Sequence, residues 1–441
     1  MSSLSSTQKR CLLFGVSLLS FTGFLDATIV STALPDIQTT LHIPIAELQW
    51  VMNAFFLGVS AFMASMGRIA DLYGRRKIFY MGTIIFMLAS IGAGLAATPV
   101  FLIVCRALQG ITTAITIPVG VALIQVAYDQ KDLAKAMGIF GSITGAGLAL
   151  GPIMGGALVT AFGWPAIFFV NIPFVILGFV LCLLSVKESR SQSNMTLDYL
   201  GILFLTITIT SLVLSMITLS VTSLVVFLVS LLIFIFVERR VKHPIMAGYL
   251  FKNSVFVPSL LFSIAAGAAV SVLLFIDPLY LHQVLEKSNF ATGALLFIIS
   301  SMVVIGAYIS GHLYRYFGGR LLMIFGSIAF LLMALLHTVF GTSTNYGLIV
   351  PAFILMGLGW AIVNTTPATL LGERIQGDHM GVAIGALFSF FNISASVVLA
   401  LATLLFHTQS SFMSGMHVMY VPILVLASVS LFVLIFIMKK P

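Results

Sequence analysis

Two ionisable side chains, Asp26 and Arg106, lie inside long apolar segments of the chain. A charged group at the centre of a membrane span costs about 2.5–3.5 kcal/mol on insertion scales, and such groups usually face a partner or a water-filled cavity. Counted from the outer ends of their segments at 1.5 Å per residue, Asp26 lies about 12 Å deep and Arg106 about 9 Å deep, so the two are expected to meet.

Burial disfavours the charged form of a carboxyl group and a nearby cation favours it, so opening the site to one side or the other would change its proton affinity. We therefore predict that Asp26 binds the coupling proton and that Arg106 modulates it. The alternative is a fixed structural ion pair that never titrates.

A charged turn follows the second apolar segment, and its candidate residues are Gly67, Asp71, Gly74, Arg75 and Arg76. A carboxylate there can cap a helix, and the cations can bind neighbouring carboxylates or carbonyls. Such contacts can break and reform when one bundle of helices rocks on another. The alternative is that the cations only fix the topology.

Three glycines, Gly147, Gly151 and Gly155, recur every four residues and therefore form one bare stripe along a helix. A stripe of this kind lets the backbone of another helix approach closely, and Pro152 adds a site for a kink. Ordinary close packing and a functional interface both explain the stripe.

Other polar residues inside apolar segments are candidates for the wall of a substrate cavity, because such groups tend to face protein or water; interhelical hydrogen bonding explains them equally well. These candidates are Asn53, Asn171, Trp360, Asn364 and Asn392. Asp277, just before Pro278 at the predicted outer end of a span, is a further candidate. It would attract cationic substrates, bind a second proton or, as the preferred interpretation, form a water-exposed lip.

The elements that must position these residues are membrane helices. The chain is 60% hydrophobic and only 8% charged, whereas soluble domains carry roughly 25% charged residues. Apolar runs of about 20 residues cross a hydrocarbon core about 30 Å thick. The sequence therefore predicts an all-α polytopic membrane protein. Fourteen spans are expected, near 12–34, 47–67, 78–97, 100–123, 138–160, 165–186, 197–216, 220–237, 254–277, 291–312, 320–340, 346–370, 381–406 and 418–438.

The basic residues give the orientation. Of the 21 lysines and arginines, all but Lys287 and Arg106 fall on one side of the alternating spans. Lysine and arginine mark the cytoplasmic side, so both termini are predicted to be cytoplasmic. The net charge of +8 is thus a topology signal, and nucleic-acid binding loses its support.

The charged turn has a second copy. Residues Gly311–Arg320 match Gly67–Arg76 in the placement of Gly, a charge, Gly and Arg, with Arg315 at the offset of Asp71. Repeated halves are a known transporter plan. The predicted division is an N-terminal six-helix bundle (1–190), two inserted linker helices and a loop (191–253) and a C-terminal six-helix bundle (254–441).

At these motifs the chain resembles the major facilitator superfamily, and in particular its fourteen-span drug/proton antiporters. The similar segments are Gly67–Arg76, the Arg-x-x-Gln-Gly stretch Arg106–Gly110, the antiporter-like stretch Gly147–Gly156, and Leu25–Pro35 in the first span. The resemblance implies a major facilitator fold, a conformational latch in the charged turn and proton antiport by alternating access. The chain departs from the pattern at Pro165, where that branch usually has Arg, and at Arg315.

We therefore expect a proton-coupled antiporter that exports lipophilic organic compounds, including cationic ones, as in multidrug efflux. The alternative is a dedicated exporter of one metabolite, such as a siderophore or an amino-acid derivative. No clustered nucleophile and base suggests an enzyme. The histidines show no ligand spacing, so no metal is expected. No phosphate loop is present, and Gly145-Ala146-Gly147 lies inside a span and not between a strand and a helix, so no cofactor is expected. The expected partners are a small organic substrate, protons and the lipid of a bacterial inner membrane, with the chain acting as a monomer.

Overall fold

The computed structural model describes residues 5–186, 198–241, 248–374 and 379–438, and these residues are helical with no strand among them. Thirteen helices within the described part are long and apolar enough to cross a membrane. The all-α polytopic prediction is confirmed. Several basic residues of the topology argument lie outside the described residues, as does the boundary predicted after residue 190. They are Lys187, Arg190, Lys242, Lys439 and Lys440.

The helices follow the apolar runs because backbone polar groups in lipid must be satisfied within the segment. The first group comprises α1 (Ser6–Ile29), α2 (Leu34–Leu41), α3 (Ile45–Tyr73), α4 (Arg75–Gly94), α5 (Pro99–Ala127), α6 (Gln130–Phe162), α7 (Ala166–Phe169) and α8 (Asn171–Leu183). A pair, α9 (Tyr199–Thr218) and α10 (Val221–Glu238), comes next. The last group comprises α11 (Phe256–Gln283), α12 (Asn289–His337), α13 (Tyr346–Arg374), α14 (His379–His407), α15 (Phe412–Met419) and α16 (Val421–Phe432).

The 49-residue α12 contains a break at Gly318, where φ is 70° and ψ is 166°. Its two arms correspond to the predicted spans 291–312 and 320–340. In the first copy of the repeat, Gly74 has φ 109° and separates α3 from α4. Glycine adopts positive φ at little steric cost, so the repeated motif places the same backbone turn at both positions.

The predicted end of the ninth span is wrong. Helix α11 continues through Pro278 to Gln283, six residues beyond the expected end. Proline is tolerated inside membrane helices because neighbouring helices and local adjustments satisfy the freed backbone groups. Asp277 therefore lies about 9 Å inside the helix end at 1.5 Å per residue. Its exposed fraction is 0%, so it is not a water-exposed lip.

One end of the bundle carries the α3–α4 and α5–α6 turns, and we call it the basic end. A salt bridge of 3.1 Å between Lys9 Nζ and Asp129 Oδ2 ties the start of α1 to the α5–α6 turn there. The Tyr73 and Tyr199 hydroxyls, 2.8 Å apart, tie the α3–α4 turn to α9. The opposite end is the far end.

The N-terminal and C-terminal helices are joined at the far end. The backbone of α6 meets that of α12 so closely that a Cβ on Gly156 would lie 2.5 Å from the Asn289 carbonyl oxygen. Gln283 Nε2 donates to Gln38 Oε1 at 2.7 Å. Toward the basic end the same helix α6 is bare, because a Cβ on Gly141 or Gly145 would meet nothing in the described chain within 4 Å. The described chain thus packs closely on α6 at Gly156 and not at Gly141 or Gly145.

Candidate functional site

Asp26 is the centre of a buried polar cluster near the far end of α1. Arg106 Nη1 donates to Asp26 Oδ2, and the exposed fractions of the two residues are 1% and 0%. The other carboxylate oxygen accepts from Gln109 Nε2 at 3.2 Å and from Asn171 Nδ2 at 3.0 Å. Gln109 Nε2 is also 3.0 Å from Ser90 Oγ. Four helices, α1, α4, α5 and α8, thus contribute to the cluster.

The Arg106 guanidinium has acceptors besides Asp26. Its Nε donates to the Val51 carbonyl oxygen at 2.9 Å, and its Nη1 donates to Gln109 Oε1 at 2.8 Å. The guanidinium carbon lies 4.6 Å from the centre of the Phe55 ring and 5.9 Å from that of Phe168. Aromatic faces attract a guanidinium within about 6 Å, so the cation is held from several directions.

Small residues bring α3 and α5 together at this point. A Cβ on Gly110 would overlap with the Phe55 carbonyl oxygen, and one on Gly58 would lie 2.7 Å from the Ala107 carbonyl oxygen. Small residues at a helix interface allow such close backbone contact. The Arg-x-x-Gln-Gly stretch therefore supplies both the charged group and the glycine that lets α3 reach it.

The cluster suits an ionised Asp26, because three donors face its two oxygens and no acceptor does. Protonation of Asp26 would remove the charge that balances Arg106 and would replace one accepting position by a donor. Arg106 would keep the Val51 carbonyl and the Gln109 amide oxygen.

A cavity lies between the N-terminal and C-terminal helices next to this cluster. The space open to the centre of a water-sized sphere is about 130 Å³, whereas one water needs roughly 10–15 Å³ by this measure. The wall is mostly apolar and comes from α1, α3, α5, α6, α11, α13 and α14. It has room for a small organic molecule.

Phe55 connects the cavity with the Asp26 cluster, because its side chain lines the cavity and its ring lies against the Arg106 guanidinium. Thr28, one turn or less from Asp26, also lines the cavity. A molecule in the cavity is thus separated from the ion pair by one aromatic ring.

The predicted cavity residues divide into two groups. Trp360, Asn364 and Asn392 lie on the wall. Asn53 and Asn171 are buried away from it; Asn53 Nδ2 donates to Gln49 Oε1 at 3.3 Å, and Asn171 binds Asp26. Asp277 does not line the cavity either.

The glycine stripe lies against α1. A Cβ on Gly147 would lie 2.6 Å from the Phe21 carbonyl oxygen, and one on Gly155 would lie 2.7 Å from that of Ile29. A Cβ on Gly151 would overlap with Thr28 Oγ1. Pro152 lies on the other face of α6, where a Cβ on Gly293 of α12 would overlap with its carbonyl oxygen.

In the charged turn, Gly74 forms the one-residue link between α3 and α4, and Arg75 and Arg76 begin α4. The Arg76 guanidinium carbon lies 5.4 Å from the centre of the Tyr80 ring. The surroundings of Gly67 and the side chain of Asp71 lie outside the described part of the structure.

A second buried cluster, which the sequence did not predict, surrounds Asp277. His337 Nε2 lies 3.0 Å from Asp277 Oδ2, and the Tyr420 hydroxyl donates to Asp277 Oδ1 at 2.6 Å. His337 stands inside the predicted span 320–340 and was one of eight histidines without ligand spacing. Its position within a span was the signal that it needed a partner. No group of three or more metal-binding side chains occurs in the described part of the chain.

Comparison with known proteins agrees with this architecture. The sequence model of the Major Facilitator Superfamily matches residues 16–399. Multidrug resistance protein Stp of Mycobacterium tuberculosis is 31% identical over 375 residues, which cover 83% of this chain and 70% of that protein. The tetracenomycin C resistance and export protein of Streptomyces glaucescens is 28% identical over 396 residues, which cover 85% of this chain and 71% of that protein.

Among solved structures, a bacterial homologue of the human lysosomal transporter Spinster, in an inward-facing and occupied conformation, superimposes with a TM-score of 0.70. The alignment covers 99% of this chain and 100% of that one at 15% identity, so it supports the fold alone. The family match rests on the sequence itself and extends over residues 16–399. This multi-pass membrane protein is a transporter and belongs to the Major Facilitator Superfamily.

Proposed function

We propose that the chain is a proton-coupled antiporter that exports lipophilic organic compounds, including cationic ones, by alternating access. The observation that carries the proposal is the buried Asp26–Arg106 pair, separated from an open cavity by the single ring of Phe55. The relatives named for drug resistance and export support the direction of transport. Asp26 would bind the coupling proton and Arg106 would adjust its affinity for that proton.

The coupling follows from charge balance. A proton on Asp26 leaves the Arg106 cation without its counter-ion, and Arg106 then relies on the Val51 carbonyl, Gln109 and the ring of Phe55. A shift of Phe55 changes the cavity wall at the same time. Proton binding and substrate binding would therefore oppose each other, as antiport requires.

We also propose that the chain has fourteen spans, with the two arms of α12 counted separately at Gly318. The two six-helix bundles would then flank the inserted pair α9 and α10. We propose a bacterial inner membrane, with the basic end and both termini in the cytoplasm. A cysteine replacing the exposed Lys77 should react with a membrane-impermeant maleimide in inverted vesicles and not in intact cells. The reverse pattern would overturn the orientation.

Two further parts take roles in the motion between states. The charged turn, with Gly67, Asp71, Gly74, Arg75 and Arg76, would act as the conformational latch at the basic end. The stripe Gly147, Gly151 and Gly155 would keep α6 tightly joined to α1 while the N-terminal and C-terminal helices move relative to each other. The chain would work as a monomer.

The coupling can be tested with the purified protein in lipid vesicles. Ethidium, a lipophilic cationic dye, serves as the probe outside vesicles with an acidic interior. Dye should accumulate inside and the internal pH should rise together with it, and a proton ionophore should abolish both. A rate of dye accumulation that is the same with and without the pH gradient would contradict antiport.

A second candidate is an exporter of one neutral metabolite. It is favoured by the wall itself, which carries no acidic side chain among the described residues that line the cavity. Export of a single endogenous compound, without efflux of dyes, would support this candidate.

The location of the substrate is testable at Asn364, which lies on the cavity wall on α13. Asn364→Asp places a carboxylate of the same shape there. We expect the apparent affinity for ethidium to increase about tenfold, corresponding to about 1.4 kcal/mol. The affinity for a neutral analogue should not increase.

The matched control is Asn345→Asp on the exposed loop before α13. An equal gain in both variants would show that the added charge acts at long range and that the dye does not bind in this cavity.

A further inference from the structure

The cluster at Asp277 contains three titratable groups that the proposed coupling at Asp26 does not use. Asp277, His337 and Tyr420 are each 0% exposed. They come from α11, from the end of α12 and from the residue between α15 and α16. An uncompensated charge is costly in a membrane interior, and such residues tend to pair with one another.

The hydrogen bonds fix where the hydrogens are. His337 Nδ1 lies 2.8 Å from the Met333 carbonyl oxygen. A carbonyl oxygen only accepts, so Nδ1 carries a hydrogen and donates it. The Tyr420 hydroxyl donates to Asp277 Oδ1. Both of these hydrogens stay in place whatever the state of the remaining contact.

The remaining contact, between His337 Nε2 and Asp277 Oδ2 at 3.0 Å, needs one more proton. That proton is either on Nε2, giving an imidazolium beside a carboxylate, or on Oδ2, giving two neutral groups. The cluster is electrically neutral in both cases. Without the proton, two acceptors would face each other and the cluster would hold a buried negative charge.

The surroundings hold the ring in this position. The His337 ring stacks on Tyr420 with centres 4.2 Å apart and on Phe353 of α13 at 6.4 Å. The other nearby titratable groups are engaged with the backbone. The Tyr280 hydroxyl donates to the Gly341 carbonyl oxygen at 2.7 Å, and His417 Nε2 lies 2.7 Å from that of Phe340.

We infer that Asp277, His337 and Tyr420 form a second proton-binding site, in which one proton is shared between carboxylate and imidazole and leaves only when α11 and α12 separate at the far end. The site is distinct from the Asp26 cluster. It holds its proton whether or not Asp26 couples transport. Deprotonation and movement of the far ends of these helices are therefore one event.

The test uses purified Asp26→Asn protein in detergent, so that the first cluster contributes no proton. A potentiometric titration over the pH range in which the protein stays folded counts the protons released. His337→Gln places an amide donor near Asp277 without a titrating group. Either group alone can still hold a proton, so Asp277→Asn and His337→Gln are combined in this background. That variant should release one proton fewer per chain than Asp26→Asn alone. Superimposable titration curves would overturn the inference.

A distance measurement separates this site from an ordinary histidine. The native cysteines are first replaced by alanine. Spin labels are then attached to cysteines that replace Glu286 and Val339, two exposed residues that follow the last residue of α11 and the last residue of α12. The distance between the labels should lengthen as the proton leaves. His337→Gln should abolish the change.

The matched control is His312→Gln, because His312 is an exposed histidine on the same helix. It should leave the change in distance intact. Proton loss without a change in distance, or a change that persists in His337→Gln, would overturn the link between the proton and the helices.

Discussion

Asp26→Asn is expected to reduce dye accumulation driven by a pH gradient at least tenfold, to the level of vesicles without protein. The amide has nearly the shape of the carboxylate and still offers an oxygen to Arg106, but it neither binds nor releases a proton. Exchange of dye for dye, with no pH gradient, requires only the cavity and should persist. The measurement is ethidium accumulation in vesicles under both conditions.

Two controls accompany this variant. Glu47→Gln removes an exposed acid from the first turn of α3 and should transport normally. Removing one member of a buried ion pair destabilises a protein by about 3–5 kcal/mol, so the Asn variant must be shown to be folded. Persistent exchange of dye for dye shows this. Undiminished accumulation by Asp26→Asn under a pH gradient would leave the ion pair as a fixed structural feature.

Gly151→Ala is expected to destabilise the protein strongly, although it adds only one methyl group. The new Cβ would overlap with Thr28 Oγ1 and lie 3.0 Å from Thr28 Cβ and 3.1 Å from the Ile29 nitrogen. The Thr28 hydroxyl is itself bonded to the Leu148 carbonyl oxygen at 3.2 Å and has little freedom to move. Overpacking of this kind costs about 1–3 kcal/mol. Thermal unfolding in detergent measures the effect.

Gly145→Ala on the same helix is the matched control. A Cβ there meets nothing in the described chain within 4 Å, and alanine is favoured over glycine inside a helix by about 1 kcal/mol. The midpoint of unfolding should stay the same or rise. Equal destabilisation by both variants would mean that helix α6, and not its contact with α1, is sensitive to substitution.

Much of the architecture could be predicted because a membrane imposes strong constraints on sequence. The spans follow the apolar runs, and the depths of Asp26 and Arg106 predicted their meeting, which the structure shows. The repeat of the charged turn appears as the positive φ of Gly74 and Gly318. In each case the information is local or periodic along the chain.

The second cluster could not be predicted in the same way. The apolar run predicts that span nine ends before Pro278, which would expose Asp277, whereas α11 continues to Gln283 and Asp277 is buried. Its partners His337 and Tyr420 are separated from it by 60 and 143 positions. No short motif connects residues so far apart, and only helix packing brings them together. The division of the polar candidates between the cavity and the interior depends on helix rotation in the same way.

The link at Gly74 has a mechanical consequence. With one residue between α3 and α4, adjacent Cα atoms only 3.80 Å apart leave the joint no slack. Helix α3 supports the guanidinium through the Val51 carbonyl, and α4 bears Ser90, which holds Gln109. The end of α3 therefore cannot be displaced without displacing the start of α4. A displacement of this joint would reach the charged pair through both the Val51 and the Ser90 contacts.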